Sequence, residues 1–438
     1  MPNNRSRLAS GRGTAPTVAL MITLTVALLL GAMQGCTAPA PTPVRIGVLA
    51  ECVGFFRNLR DAGLAGAEIP LLERGAALNG QLPSDGLTPA TIAGRPVELL
   101  AGCTEGGEFS TLIEQTRVLI EEHQVDVVVG GTWPGDGLIM RELARKYPDT
   151  TFVVSTGGPR EVTLGDTAPN LFRFAPDISQ QVAGLGTFAF RDLGWRDAAV
   201  MAEDDESGWG GAAAFLAEFC SLGGRVTQLP IAVDLQPPSA IDADGVALFS
   251  TQFGPPAASL AGFAADPASP ATSLVLGPGV SADAGFLQAV PESLSGVVTV
   301  VPAPSAPAAG ERYRATMARY YPGVPASGAM SPYVVQVHDA VEAVMLGLEA
   351  TAGLPGPALR QALGSLDADL VGGTVRADAN RAVIVSTALA RLGPGGAESI
   401  IRPVPAVDQT FGGALAADYE PRSGEQPCDR GIAPPWAR

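Results

Sequence analysis

Histidine and lysine are almost absent from this chain of 438 residues, which has two histidines and one lysine. His123 ends a predicted helix and His338 precedes Asp339, and neither belongs to a nucleophile motif. The sequence also lacks a Gly-x-Ser-x-Gly elbow, a His-Glu-x-x-His zinc motif and a Cys-x-x-Cys pair. We therefore predict a protein that is not an enzyme and has no catalytic residues, metal site or cofactor.

Positive charge is scarce as well. The formal net charge is −16, the sequence pI is about 4.6, and no cluster of Lys and Arg follows the first twelve residues. A surface that binds nucleic acid needs such a cluster to neutralise phosphates. Nucleic acid is therefore excluded as a predicted partner.

The longest apolar run lies near the start of the chain, over residues 17–33, and three arginines precede it. It is short for a membrane-spanning helix, which needs about 20 residues. With Cys36 three residues beyond Met33, the segment resembles a bacterial lipoprotein signal, which usually has Leu where Met33 stands. We predict a signal peptide over 1–35, lipid attachment at Cys36, a Pro-rich tether over 36–43 and an extracytoplasmic, membrane-anchored protein. An uncleaved anchor helix, or a plain signal peptide with an incidental Cys36 thiol, is the alternative.

About 400 residues remain after cleavage, more than a single core of about 250 to 300 residues accommodates, so we expect two domains. In the first part of the chain, short apolar runs alternate with segments of helical periodicity. The predicted strands are Val44–Ala50, Val97–Leu100, Val125–Val129 and Thr151–Val154, and the predicted helices are Leu71–Asn79, Phe109–His123 and Leu138–Tyr147. This alternation predicts an α/β fold in which helices cover both faces of a parallel sheet.

The same alternation restarts after residue 174. The predicted strands are Ala198–Ala202, Arg225–Leu229, Val246–Ser250, Thr272–Leu276, Val297–Val301, Val371–Val375 and Ala382–Leu392. The predicted helices are Ile178–Asp192, Gly211–Ser221, Ala257–Ala264, Ala308–Tyr320, Tyr333–Ala350 and Ala358–Leu366. The glycine pattern at 184–189 superficially matches a dinucleotide fingerprint but falls inside a predicted helix, so we interpret it as helix packing.

Several ordered segments resemble one family. They are Arg45–Val48, Arg74–Gly80, Val125–Gly131, Asn170–Asp177 followed by Gln180 and Gln181, Ala199–Trp209 and His338–Val341. Together they resemble the type 1 periplasmic-binding proteins, specifically the branch of leucine/isoleucine/valine-binding and amide-binding proteins. The resemblance covers roughly residues 44–395.

The resemblance implies two doubly wound parallel-sheet lobes that are joined by crossing strands, with a ligand cleft between them. It assigns residues 44–168 and 297–353 to lobe 1, residues 169–296 and 354–411 to lobe 2, and leaves 412–438 as an irregular tail. It also implies a monomer that captures a small polar ligand by hinge closure and delivers it to an ABC permease. A ligand sensor that signals to a membrane partner and a structural lipoprotein that has lost its ligand are the alternatives.

Ligands of open α/β sheets bind at the carboxyl ends of the strands. The candidate ligand-binding residues at these ends are Thr132, Trp133, Ser155, Thr156, Gly157, Asp205, Ser207, Trp209, Phe253 and Gly279. The stretch from Ser155 to Gly157 matches the family loop that holds a ligand carboxylate, or it is an ordinary turn. Trp133 stacks on the ligand or caps the cleft, and the acidic loop around Asp205 faces the cleft or only solvent.

Two positions depart from the family pattern. Ser207 stands where the family commonly has Tyr, and Gly279 stands where amino-acid binders typically have a Glu that pairs with the ligand ammonium. A buried ammonium without a partner costs several kcal/mol. Another acid (Glu51, Asp205 or Asp283) therefore replaces this Glu, or the ligand is uncharged or anionic.

Four cysteines besides Cys36 form an even set, as expected in an oxidising compartment. Cys52 and Cys103 follow strands that are neighbours in a doubly wound order, about 4.8 Å apart, so a disulfide between them is within reach. Cys220 and Cys428 pair by elimination only. Alternatively, the cysteines are buried as small hydrophobic residues.

Overall fold

The computed structural model describes fourteen stretches or single residues. They are 41–54, 57, 59–133, 135–156, 158–233, 241–249, 274–277, 295–303, 307–394, 397–416, 419, 421, 428 and 431–438. The predicted signal segment and Cys36 lie outside them, as does the predicted helix Ala257–Ala264. Within these ranges, no helix has the length and hydrophobicity that are needed to span a bilayer.

The first sheet is built from the N-terminal part of the chain. Its strands are β1 (Val44–Val53), β2 (Ala90–Ile92), β3 (Arg95–Glu105), β4 (Val127–Gly130), β5 (Thr151–Val154) and β6 (Leu171–Arg173). They lie in the order β2-β3-β1-β4-β5-β6, and all neighbours are parallel except β2 and β3. The helices between them are α1 (Arg60–Leu72), α2 (Phe109–Arg117), which continues into a π-helical turn over Val118–Glu122, and α3 (Asp136–Lys146).

Both faces of the first sheet are buried. Ile46 and Val48 of β1 belong to one apolar cluster, whereas Leu49 belongs to a second cluster with Leu112 of α2. Gly47 points to the second face, where an added Cβ would lie 2.9 Å from Leu119 Cδ1. Alternate residues of a strand point to opposite faces, so the nearly continuous apolar sequence of β1 fits a sheet with helices on both sides.

The second sheet contains the later strands. They are β7 (Asp197–Glu203), β8 (Arg225–Gln228), β9 (Ile231–Ala232), β10 (Gly245–Phe249), β11 (Leu274–Leu276), β12 (Val298–Pro302), β13 (Asp367–Leu370), β14 (Gly373–Ala377), β15 (Val383–Leu392) and β16 (Glu398–Val407). The order is β13-β14-β15-β12-β11-β10-β7-β8, with β16 beside β15 and β9 beside β7. Strands β7 to β12 pair in parallel, and β13 to β16 form antiparallel pairs at the other edge.

The helices of the second part are α4 (Leu185–Arg191), α5 (Glu206–Ser221), α6 (Pro307–Tyr320), α7 (Ala326–Ala329), α8 (Pro332–Ala350) and α9 (Pro357–Leu363). With the two sheets, they confirm the predicted α/β fold with two lobes.

Helix α8 packs on α1 of the first lobe, and Arg360 of α9 donates to the first-lobe carbonyl of Asp149 at 2.7 Å. Strand β12 pairs with β11 and β15 of the second sheet, although we assigned residues 297–353 to lobe 1.

The chain crosses between the lobes after β6. Arg173 forms a parallel bridge with Ala382 just before β15. A few residues later, Gln180 Nε2 donates to the carbonyls of Val383 and Val407, each at 2.8 Å. This buried amide therefore ties together three segments of the crossing.

Two predicted helices differ from the structure because tertiary contacts decide them. The predicted helix Leu71–Asn79 is wrong apart from its first two residues. The observed helix α1 lies earlier in the chain and ends at Leu72. Helix α1 contains Gly63, Gly66 and Pro70, which are poor helix formers. The glycines nevertheless allow close packing on α8, because a Cβ added at Gly66 would lie only 3.0 Å from Val334.

The predicted helix Ile178–Asp192 is divided at Gly184, whose φ of +96° favours glycine. Helix α4 starts at the next residue. Inside it, a Cβ on Gly186 would lie 2.7 Å from Glu218 Cβ of α5. The dinucleotide-like glycine pattern is therefore a helix-packing contact, as we predicted.

The structure brings both predicted cysteine pairs to disulfide distance. The Cα atoms are 5.4 Å apart for Cys52 and Cys103, and 5.0 Å apart for Cys220 and Cys428. Strands β1 and β3 are neighbours, as expected, but both run further than predicted, so Cys52 and Cys103 lie within the strands instead of after them.

Candidate functional site

The loop after β4 forms the first part of the candidate site. Asp136, the first residue of α3, accepts hydrogen bonds from the backbone N–H groups of Thr132 (3.0 Å) and Trp133 (2.9 Å). Burial raises the pKa of Asp136 to about 6, an effect that these two donors oppose. The carboxyl group thus fixes the backbone that carries two of the predicted ligand-binding residues.

The neighbouring loop after β5 is bonded to the first. The Ser155 N–H donates to the Gly130 carbonyl at 2.7 Å, and Thr156 Oγ1 donates to the Gly131 carbonyl and, at 3.3 Å, to that of Thr132. Ser155 and Thr156 are buried, with exposed fractions of 1% and 4%. Gly157, the third predicted residue of this loop, lies outside the described residues.

Tyr333 contacts a candidate site residue, although it is not among the residues predicted for the site. It lies in the first turn of α8, and its hydroxyl is 3.1 Å from Thr132 Oγ1. Burial raises the pKa of Tyr333 to about 12, and the negative charges of Glu51 and Asp136 contribute to the rise. The only sequence signal was an aromatic residue after Pro332, which does not reveal what the ring contacts.

Across the cleft, the acidic loop after β7 begins helix α5. Asp205 is the N-cap residue, and its Oδ1 accepts from the N–H groups of Ser207 (3.0 Å) and Gly208 (2.7 Å). This geometry gives Asp205 a structural role that explains its position without a ligand. Ser207 is buried, and a Cβ on Gly208 would overlap the Glu203 carbonyl oxygen, so only glycine fits there.

Trp209 follows on the same helix turn. Its Nε1 donates to Asp204 Oδ1 at 3.0 Å, which orients the indole. The two lobes approach each other here, because a Cβ on Gly135 of the first lobe would lie 3.6 Å from Glu206 Oε1 of the second.

A cavity of about 120 Å³ lies at this approach. Residues from both lobes and from the C-terminal tail line it: Leu138, Pro159, Arg160, Glu161, Ile178, Ser179, Glu206, Trp209, Gly210 and Tyr419. Pockets for drug-sized ligands usually have roughly 300 to 1,000 Å³. In this conformation the cavity therefore admits only a small molecule.

Arg160 is the buried cation of this cavity, with an exposed fraction of 4%. Its Nε lies 3.2 Å from Glu161 Oε1, and its Nη2 donates to the Tyr419 carbonyl oxygen. A guanidinium can bind a carboxylate through two parallel hydrogen bonds. The cavity therefore combines a group suited to carboxylates with the indole of Trp209 and several apolar side chains.

Of the predicted site residues, Trp209 lines this cavity, and the other described ones lie on the neighbouring loops. Thr132, Trp133, Ser155 and Thr156 lie together in the first lobe, and Asp205, Ser207 and Trp209 begin the opposing helix. Phe253 and Gly279 lie outside the described residues. In the part of the chain that is described, no group of three or more His, Cys, Asp or Glu side chains could hold a metal ion.

Residues 43–397 match the family model described as "Periplasmic binding protein". No curated protein matches the chain. Solved structures do match, among them an ABC transporter substrate-binding protein from Sphaerobacter thermophilus. Its identity is 22% and its TM-score 0.68, and the match covers 84% of this chain and 99% of that one.

Two further structures contain ligands. A solute-binding protein of an ABC transporter from Rhodopseudomonas palustris, in complex with p-hydroxybenzoic acid, is 17% identical with a TM-score of 0.66, covering 84% of this chain and 98% of that one. The branched-chain amino acid transporter substrate-binding protein LivJ from Streptococcus pneumoniae, in complex with isoleucine, is 16% identical with a TM-score of 0.62, covering 82% and 100%. At these identities, the likenesses show a shared fold.

Proposed function

Because this chain belongs to the periplasmic binding protein family, we propose that it is an extracytoplasmic solute-binding lipoprotein. It captures a small polar ligand between its lobes and delivers it to an ABC importer, without bond chemistry. The observation that carries the proposal is the cavity lined by residues of both lobes. A ligand that contacts both lobes stabilises the closed state by its differential affinity, and a transporter can recognise that state.

The ligand that fits the cavity best is a small carboxylate with a compact apolar body. Arg160 provides the cation, and Trp209, Leu138 and Ile178 provide apolar surface. Isoleucine and p-hydroxybenzoic acid, which are bound in the two related structures, share this chemistry. Glu206 is the acid of the second lobe that lines the cavity, so it is our candidate partner for a ligand ammonium group.

The ligand contacts are proposals as well. We propose Trp209, which lines the cavity, as a ligand contact, and we propose Thr132, Trp133, Ser155, Thr156 and Ser207 for the surface that closes over the ligand. Asp205 contributes by holding the first turn of α5, which carries Ser207 and Trp209.

Thermal unfolding of residues 37–438 with a panel of ligands tests this function. The panel contains branched-chain amino acids, amides, benzoate, 4-hydroxybenzoate, dicarboxylates and sugars. A ligand at 100 times its Kd adds about 2.7 kcal/mol to the free energy of unfolding. We expect a rise in melting temperature with one carboxylate class. Trp209→Ala should reduce this rise, and Tyr320→Ala, which alters a tyrosine outside the cavity lining, should preserve it.

The result that would contradict the proposal is an unchanged melting temperature with every compound of the panel. That outcome would instead favour a lipoprotein without a ligand. A rise with the wild type that Trp209→Ala leaves intact would place the ligand elsewhere in the protein.

The lipid anchor needs a separate experiment. We expect the wild-type chain in the membrane fraction and Cys36→Ala in the soluble fraction after cell disruption. Retention of Cys36→Ala in the membrane would show that the apolar segment at 17–33 anchors the chain as a helix.

A further inference from the structure

The C-terminal segment over 412–438, which the sequence predicts to be an irregular tail, contributes Tyr419 to the lining of the cavity. Tyr419 lines the cavity together with Trp209 and Arg160. Its backbone carbonyl accepts a hydrogen bond from Arg160, which follows β5 in the first lobe. The tail therefore contacts the first lobe at the cleft.

Residues near the start and the end of the same segment pack on each other. The Phe411 and Trp436 rings meet edge to face with centroids 4.9 Å apart, and a Cβ on Gly412 would lie 2.8 Å from Pro435. Leu415, four residues before Tyr419, is buried in the main core. Phe411 and Gly412 therefore lie beside Pro435 and Trp436.

Helix α5 holds the returning part of the tail. Cys428 lies at disulfide distance from Cys220, and Trp436 Nε1 donates to Glu218 Oε1 at 3.1 Å. Glu218 is fully buried and also accepts from the N–H groups of Gly184 (2.6 Å) and Thr187 (2.8 Å). Helix α5 also carries Trp209, so one rigid element positions both the tail and an aromatic wall of the cavity.

We propose that Tyr419 is a ligand-contacting, specificity-determining residue, and that the Cys220–Cys428 pair holds the tail across the two lobes to position it. This inference rests on the proposed function, because it assumes that the ligand occupies the cavity. Tyr419 lines the cavity together with Trp209, so its side chain is placed to set the size of the ligand. Its loss should weaken binding of compact ligands and relax the size limit.

The first test measures binding by isothermal titration calorimetry. The probe is whichever of isoleucine, benzoate and 4-hydroxybenzoate stabilises the wild type. We expect Tyr419→Ala to raise Kd about tenfold or more, which is the effect of 1.4 kcal/mol. Tyr419→Phe should stay within about threefold if the ring is the contact. The Arg160 hydrogen bond goes to the Tyr419 backbone, so neither variant removes it. A Kd for Tyr419→Ala within twofold of the wild type would overturn the ligand contact.

The second test needs no ligand. Hydrogen exchange is compared among the wild type, Cys220→Ser/Cys428→Ser and the matched control Cys52→Ser/Cys103→Ser, which removes the pair within the first lobe. The amides of Thr163 and Leu164 report on the helical turn Arg160–Val162, because both donate to the Arg160 carbonyl. We expect them to exchange at least tenfold faster only in the Cys220/Cys428 variant.

The two tests separate the possible failures. If no probe binds the wild type, the proposed function fails, and the exchange experiment still decides whether the tail joins the lobes. Equal exchange rates at Thr163 and Leu164 in the two double variants would overturn the proposal that the tail connects the two lobes. If the Cys220/Cys428 variant fails to fold, Trp436→Phe, which removes the bond to Glu218 and keeps a ring beside Phe411, replaces it with the same expected result.

Discussion

Replacing Arg173 with methionine would leave the carboxylate of Asp177 without its counter-ion in the crossing between the lobes. Both side chains are fully buried, and Arg173 Nη2 lies 3.1 Å from Asp177 Oδ2. Arg173 Nη1 also donates to the Pro159 carbonyl at 2.8 Å. Asp177 retains two donors after the substitution, the Gln180 N–H at 2.7 Å and Gln409 Nε2 at 3.2 Å.

The magnitude follows from the burial and from the two remaining donors. Removing one partner of a buried ion pair typically costs about 3 to 5 kcal/mol, because the other charge stays desolvated. Since Asp177 keeps two hydrogen bonds, we expect about 3 kcal/mol for Arg173→Met. Unfolding entropy is about 2.1 cal/mol/K per residue, so a chain of roughly 400 residues should melt about 3 to 4 °C lower.

Differential scanning calorimetry at pH 7 measures the effect. Adding Asp177→Asn to Arg173→Met neutralises the stranded charge and keeps an acceptor, so the double variant should recover at least about 1 kcal/mol. Arg225→Met is the matched control, because Arg225 pairs with Asp197 through two hydrogen bonds at the surface, where ion pairs contribute little. An Arg173→Met variant that melts like the control, or a double variant that melts lower than the single one, would refute the reasoning.

Three further predictions concern helix contacts, pH and a helix cap. Gly186→Ala should destabilise the chain by about 1 to 3 kcal/mol, because the new Cβ meets α5. Gly328→Ala is the control, because a Cβ at this position meets open space. Equal melting temperatures of the two variants would contradict the packing argument. Burial raises the pKa of Glu68 from 4.5 to about 7, so the folded state binds a proton at Glu68 more tightly than the unfolded state does. This contribution to the free energy of unfolding is complete below pH 4.5 and is lost as the pH rises through about 7. Glu68→Gln should flatten the melting temperature in this range, and an unchanged slope would exclude Glu68 as its source. Asp205→Ala should cost about 0.5 to 2 kcal/mol through loss of the N-cap, whereas Asp205→Asn should retain stability; equal losses in both would assign Asp205 another role.

The order of the elements could be predicted from the sequence, but some of their boundaries could not. The strands at Val44, Val125 and Thr151 are apolar and β-branched, and they recur in the structure because both faces of a parallel sheet must be buried. Helix α1 was missed because its glycines and Pro70 disfavour a helix locally, and its packing on α8 outweighs that preference. Strand β16 was missed as well. Its first four residues are all exposed, so apolar and polar residues do not alternate there as they do in a half-buried strand.

The candidate site divides in the same way. The rule that ligands bind at the carboxyl ends of strands selects Thr132, Thr156 and Trp209 as candidates from the sequence, and Trp209 lines the cavity. The rule could not assign Tyr333, which belongs to a helix some 200 residues later in the chain and reaches Thr132 only through the fold. It could not assign Tyr419 either, because nothing in an irregular tail indicates which cavity it lines.

The sequence by itself determined the α/β class and its two successive runs of alternating strands and helices, because hydrophobic periodicity encodes them. It also supplied the pairing of Cys52 with Cys103, since adjacent strands hold these residues within reach. Only the tertiary structure decided that Asp205 caps a helix, that Arg173 and Asp177 form a buried ion pair, and that Tyr419 lines the cavity. These roles depend on contacts between residues far apart in the chain, and such contacts leave no periodic signal in the sequence.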